Sequence, residues 1–445
     1  MTPDFSLIGA LTEKNQEKYS RFHVPGHKGH FPDCDFLSAV APYDYTELPD
    51  TDSLYEASGQ IRALENRVAA LYKSAASFLS CGGATLCIQT MLALVAGEGD
   101  SVILARGCHG SAISTLTLLG IDPIWVWPKM ADGLPGQVEP EDIAKAISEN
   151  PSAKAVYLTS PNYFGQLADI QTIAQLCDAA KIPLLVDNAH GAHLAFVKGA
   201  VHPIHAGATM SADSAHKTLP TFTGSAFLHS SVPLDHDTVK ETMRLFGSTS
   251  PSYLLMASMD YAVGFLESQG QVAYSELEET VAFFIEKMEK EGYFFPKGNM
   301  DPIRMTISGA RRGYDGAFLA DALRKKKIDS EMDGGEYVVL VPTPFNEDTD
   351  FRRLEKALLN LPILPPISRQ EALPLPKPVK VTAPRAAWFS TKEEILVENS
   401  VGKIAASVSA PCPPGIPLIV PGEEIDVFTA EILRAYGIFT IKVVK

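Results

Sequence analysis

Between residues 60 and 230, short apolar runs alternate with stretches whose apolar residues recur at helical spacing. IRALENRVAALYK (61–73) predicts an amphipathic helix, and further helices are predicted over 85–96, 110–119, 140–149 and 170–181. Between them lie SFLS (77–80), SVIL (101–104), PIWVW (123–127), AVYLTS (155–160) and IPLLVD (182–187), each a predicted strand. These runs are continuously apolar, as strands buried on both faces must be. The intervening helices are long enough for right-handed crossovers. The pattern predicts an α/β domain with a mainly parallel sheet.

The alternation stops in a helical stretch over about 237–292. A smaller α+β region follows, with PIRMTIS (302–308), a helix near 314–326, EYVVLVP (336–342) and a helix near 350–360. The next segment, 361–384, holds too many prolines for a helix or a central strand and predicts an extended linker. The expected organisation is an arm (1–55), a large domain (56–292), a small α+β domain (293–362), a linker (363–385) and a C-terminal domain (386–445). A chain of 445 residues is long enough for several cores.

Composition narrows the class. The net charge of -15 and the absence of a basic stripe argue against nucleic-acid binding. The short run Arg324–Lys327 reads as a solvated helix end. Acidity favours attraction of a cationic substrate. No apolar run approaches the ~18 residues of a membrane span, and the N-terminus lacks the charged start of a secretory signal. The six cysteines form no CxxC pair, so neither a metal site nor a disulfide framework is expected, and the expected location is the reducing cytoplasm.

Four segments place unusual polar residues after predicted strands, where open α/β sheets bind ligands. Lys217, between His216 and Thr218, could form a Schiff base or be an exposed loop lysine. Asp187 follows the strand 182–187 directly and could hold a pyridine nitrogen protonated or cap a helix. Gly82, Gly83, Ala84 and Thr85 form a strand–glycine–helix turn suited to phosphate, although such turns are common. His109 could stack on a cofactor ring or simply cap a helix. The pair His190 and His193 could suggest a metal, but no third ligand accompanies them. The order of phosphate turn, aromatic, strand-end Asp and then Lys is the layout of fold-type I pyridoxal-phosphate enzymes.

The sequence resembles the ornithine/lysine/arginine decarboxylase family over most of its length. HVPGHKG (23–29), DTDSL (50–54), SPNYFG (160–165), DNAHGAH (187–193), SAHKTL (214–219), STSPSY (248–253), PPGIP (413–417) and PGE (421–423) are similar to family motifs and share their order. The resemblance implies pyridoxal 5'-phosphate on Lys217, with Asp187 at the pyridine nitrogen and His109 on the ring face. It implies that Ser214 and His216 lie near the phosphate with the 82–85 turn, and that His190 frames the ring. Ser248, Thr249 and Ser250 would reach the phosphate of a second subunit, which implies a homodimer with a shared site. The implied reaction is decarboxylation of lysine, arginine or ornithine, as in polyamine synthesis, with Glu331, Asp333 or Glu423 receiving the substrate's cationic end.

Several positions depart from the pattern. The phosphate turn keeps one hydroxyl, Thr85, where two or three are usual; Asn188 stands for Glu, Asn162 for Thr, Asp213 for Gln and Cys412 for Tyr. The N-terminal motif begins at Arg21, so the wing domain of the large acid-induced members is not expected. Two other readings stay open: an aminotransferase or lyase of the same fold, with Arg244 or Arg385 at the substrate carboxylate, and a catalytically weak binding or regulatory protein.

Overall fold

The computed structural model describes residues 6–367, 373–411 and 416–445. The Cys412 departure and most of the PPGIP motif therefore lie outside the described residues. The strands are β1 (Ala76–Ser80), β2 (Ser101–Ala105), β3 (Asp122–Val126), the short hairpin β4 (Met130–Ala131) and β5 (Leu134–Pro135), β6 (Val156–Thr159), β7 (Leu184–Asp187), β8 (Met210–Asp213) and β9 (Ala226–Ser230). Seven of them form one sheet in the order β1-β9-β8-β7-β6-β2-β3. β2 runs parallel to β3 and β6, whereas β9 runs antiparallel to β1 and β8. β7, β8 and β9 are buried at every position, and besides apolar residues they carry the buried polar groups Asp187, Asp213 and His229.

The chain divides into two compact units. The first comprises Met1–Leu94 and Asp187–Ser275. Its N-terminal helix Ser6–Gln16 is held by Asp260, whose Oδ2 accepts from Leu7 N and Ile8 N at 3.0 Å each while Oδ1 takes Arg67 Nη1 at 2.8 Å. β1 is tied to the helix Gln60–Tyr72 by buried Glu65, which accepts from Leu79 N and pairs with Lys240 and His236.

The second unit comprises Val95–Val186 and Glu276–Lys445. It contains an antiparallel sheet of β10 (Met305–Ser308), β11 (Met332–Gly334) and β12 (Tyr337–Leu340), in the order β10-β12-β11. Toward the C-terminus, β13 (Lys392–Leu396) pairs with β14 (Thr440–Val444) over a core that includes Leu418, Ile425, Leu433 and Val443.

The helical stretch predicted over 237–292 is three helices, His236–Phe246, Tyr253–Phe265 and Gln271–Lys290, the last two joined through a π-helical turn, Leu266–Gly270. A serine-rich loop containing Pro251 lies at the first break: Ser252 caps the second helix by accepting from Leu255 N, and Ser250 N donates to Ser248 Oγ. Residues 362–367 and 373–379 carry no helix or strand.

Candidate active site

Lys217 sits on a single helical turn, Ala215–Thr218, that follows β8. Ser214 precedes that turn without a side-chain capping bond, and its carbonyl accepts from Lys217 N at 3.2 Å. At the other end, Tyr274 donates its hydroxyl to Thr218 O. The lysine is half-buried, and its Nζ lies 3.0 Å from His190 Nε2. His190 belongs to the loop that leaves β7 at Asp187. That carboxylate is 1% exposed and accepts from Ala189 N at 3.1 Å through Oδ1. The structure thus brings Lys217 and His190 together beside the strand end that carries Asp187.

The glycine turn is built into the same unit. Gly83 has φ +65° and opens the helix Gly83–Val95. A Cβ on Gly82 would stand 2.9 Å from Leu86 Cβ, so the close approach of the first turn requires glycine there. Gly82 N donates to Ser80 Oγ and Gly83 N to Gly224 O, at 3.1 and 2.8 Å. The N–H groups of Ala84 and Thr85 are those that a helix start leaves without intrahelical acceptors. Anion-binding capacity therefore centres on these two residues and the Thr85 hydroxyl.

Gly224 (φ +102°) and Ser225 form an anchor that sequence reasoning missed. Ser225 O accepts from His216 Nδ1 at 3.0 Å, while the neighbouring Gly224 O accepts from Gly83 N. The glycine turn and the lysine turn thus bond to adjacent residues, Gly224 and Ser225. The available signal was a glycine just before a strand, which often marks a close backbone approach. Ser248 and Thr249 lie exposed in the loop between two helices.

Two departures from the family pattern meet directly. Asn188 Nδ2 donates to Asp213 Oδ1 at 2.9 Å in the core of this unit. Burial alone would push the Asp213 carboxyl up. Facing His202 and His229 outweigh that and hold it below the usual carboxylate range.

The remaining expected residues belong to the second unit. His109 caps the helix Gly110–Leu119: its Nδ1 accepts from Ser111 N at 3.2 Å and contacts Ser111 Oγ at 2.8 Å. The cap fixes the ring while leaving the residue exposed. Glu331 and Asp333 are exposed at β11, and Tyr163 donates its hydroxyl to Glu331 Oε1 at 3.3 Å. Glu423, expected to receive a cationic substrate, is buried with both carboxylate oxygens on Arg106. That carboxylate is already neutralised, which leaves Glu331 and Asp333 as the exposed acids of the expected set.

The profile of the Orn/Lys/Arg decarboxylase major domain matches residues 5–295, and that of the family's C-terminal domain matches 369–438. The chain belongs to the Orn/Lys/Arg decarboxylase family. This is a family of amino-acid carboxy-lyases of the fold-type I class. One relative is the Bacillus subtilis protein described as "Uncharacterized protein YaaO", 31% identical over 446 residues, which cover 94% of this chain and 91% of that one. Another is the arginine decarboxylase of Bacillus anthracis, 29% identical over 458 residues, covering 96% and 92%. Among solved structures, the Francisella novicida lysine decarboxylase LdcF superposes with a TM-score of 0.86 at 19% identity, over 99% of this chain and 81% of that one. This last likeness is one of fold.

Proposed function

We propose that this family member decarboxylates a basic L-amino acid (arginine, lysine or ornithine) with pyridoxal 5'-phosphate bonded through Lys217, acting in the cytoplasm as a homodimer. The observation that carries the reading is the 3.0 Å approach of Lys217 Nζ to His190 Nε2, on the loop that begins at buried Asp187.

The donor set fits the cofactor. Lys217 offers an amine and Asp187 a buried carboxylate for a pyridinium nitrogen. The rest of β7, from Leu184 onward, is apolar and buried, and it holds that carboxylate at the sheet's end. Ala84 and Thr85 offer N–H groups and a hydroxyl for phosphate at a helix start. When bound, the cofactor supplies an electron sink for the charge left at Cα as carbon dioxide departs.

The protein's own residues have distinct tasks. A lysine reacts only as the free amine, and its ordinary pKa is about 10.4. His190 Nε2 can accept the proton that Lys217 Nζ must lose. Asp187 would hold the pyridine nitrogen of the bound cofactor protonated. His109 presents a ring whose orientation its own helix start fixes. Ser248, Thr249 and Ser250 are exposed and available to a second subunit.

The aminotransferase reading finds less support. Arg385 donates to Leu118 O, and Arg244 lies 3.5 Å from Glu56 on the surface. The test is absorbance of the purified protein with pyridoxal phosphate, followed by arginine, lysine and ornithine in turn with carbon dioxide recorded. Carbon dioxide from one of them, lost in Lys217→Ala, supports the reading. A keto acid without carbon dioxide supports transamination instead.

A further inference from the structure

The buried cluster behind the lysine turn is asymmetric in its chemistry. Asp213 ends β8, and Asn188 is the first residue after β7. Asn188, His202, Asp213 and His229 are all fully buried. Asp213 Oδ1 accepts from Asn188 Nδ2 at 2.9 Å and from Ser211 Oγ at 3.3 Å. Asp213 Oδ2 lies 2.8 Å from His202 Nε2 and 3.6 Å from His229 Nε2. The amide orientation follows from charge, because its oxygen would be repelled by the carboxylate.

Two imidazoles and a carboxylate this close could also hold a transition metal. The His202 tautomer points the other way. Ile204 N donates to His202 Nδ1 at 3.3 Å, so the ring proton belongs on Nε2, facing Asp213. Metal ligation at Nε2 would move that proton to Nδ1, against another N–H. The cluster is therefore a set of donors converging on one carboxylate. An amide at 213 would turn its NH2 group toward a donor on one side or the other.

We propose that Asp213 is a positioning residue. Through Asn188 it locks the end of β7, which carries Asp187, to the end of β8, from which Lys217 follows within one helical turn. This rests on the reading of Asp187 and Lys217 as the cofactor's two anchors. The carboxylate and amide are exchangeable in principle: His202 Nε2 lies 3.1 Å from Asn188 Nδ2 as well, so a carboxylate at 188 would still meet its N–H.

The experiment compares the parent with Asn188→Asp, Asp213→Asn and the reciprocal double variant. Thermal midpoints without cofactor, pyridoxal-phosphate dissociation constants and visible circular dichroism of the bound cofactor are recorded for each. Each single variant is expected to weaken cofactor binding at least about tenfold, the effect of one lost hydrogen bond to a charged group. The double variant should return to within about threefold of the parent and recover its dichroism, because the two changes compensate.

Parental affinity and dichroism in Asp213→Asn, or a double variant no better than the worse single, would overturn the proposal. So would one equivalent of tightly held metal in the parent that is lost in Asp213→Asn. If either single variant fails to fold, Asn188→Ala removes the donor without placing a second charge beside Asp213. It should then weaken cofactor binding with a smaller change in thermal midpoint, and unchanged binding would count against the lock. If the parent itself fails to bind the cofactor, the functional reading fails first. Coupling between 188 and 213 in the cofactor-free midpoints then still decides whether the lock exists.

Discussion

Arg106 and Glu423 form a fully buried two-pronged ion pair, with Nη1 to Oε1 at 2.6 Å and Nη2 to Oε2 at 2.8 Å. Arg106 Nε and Nη2 also donate to the carbonyls of Pro417 and Leu418, and Val420 N donates to Glu423 Oε2. The guanidinium thus holds 417–423 against the residue that follows β2. Removing one partner leaves an uncompensated buried charge. Glu423→Ala is expected to destabilise the protein by about 3–5 kcal/mol, measured by urea unfolding followed by circular dichroism. Normal stability with a raised KM for the amino acid would instead return Glu423 to a substrate role.

The glycine turn separates steric from conformational demands. Gly83→Ala meets no atom within 4 Å, but φ +65° is costly for alanine, so a loss of about 1–2 kcal/mol is expected. Gly82→Ala drives its Cβ into Leu86 and should cost about 1–3 kcal/mol while shifting the start of the helix. Thr85→Ala should leave stability nearly unchanged and weaken cofactor binding several-fold, about the worth of one neutral hydrogen bond. Equal cofactor affinity in Thr85→Ala and the parent would remove Thr85 from the phosphate site.

Acid should act through His202. Burial pushes its imidazole below the ordinary value, against the raising influence of Asp213. A depressed folded pKa means that the unfolded chain binds this proton more readily. The stability contributed is complete above about pH 6.5 and is lost as pH falls below that value toward the folded pKa. His202→Gln should therefore lose less stability than the parent between about pH 7 and pH 5.5. Parallel slopes in urea midpoints would show that His202 does not carry the effect.

Lys217 and His190 should differ in kind. Lys217→Ala is expected to abolish the borohydride-trapped cofactor adduct. His190→Gln should retain the adduct but lower kcat by about 10²–10⁴-fold, the usual worth of a positioned proton acceptor. An unchanged kcat in His190→Gln would reduce the 3.0 Å contact to packing.

Much of this was legible before the structure. Continuous apolar runs marked β2, β6 and β7 because burial on both faces leaves no polar face to hide. Asp187 and Lys217 stood out because each interrupts or follows such a run. The missing parts depend on distant partners. The helix Ser6–Gln16 is only weakly amphipathic and is secured by Asp260, some 250 residues away. Tyr274 supports the lysine turn from a helix with no motif of its own. Glu423 was visible as a motif residue, but its partner Arg106 lies 317 positions earlier, and only the fold pairs them.

The flanks of Arg106 have an optical consequence. Its guanidinium carbon lies 4.6 Å from the Trp125 ring and 4.7 Å from the Trp127 ring. The chain has three tryptophans, and the third, Trp388, carries Lys392 Nζ over its ring at 3.9 Å. Two of the three indoles therefore sense the same charge, and detaching 417–423 would alter their surroundings together. The protein carries its own label-free fluorescent reporter of whether the C-terminal segment is seated.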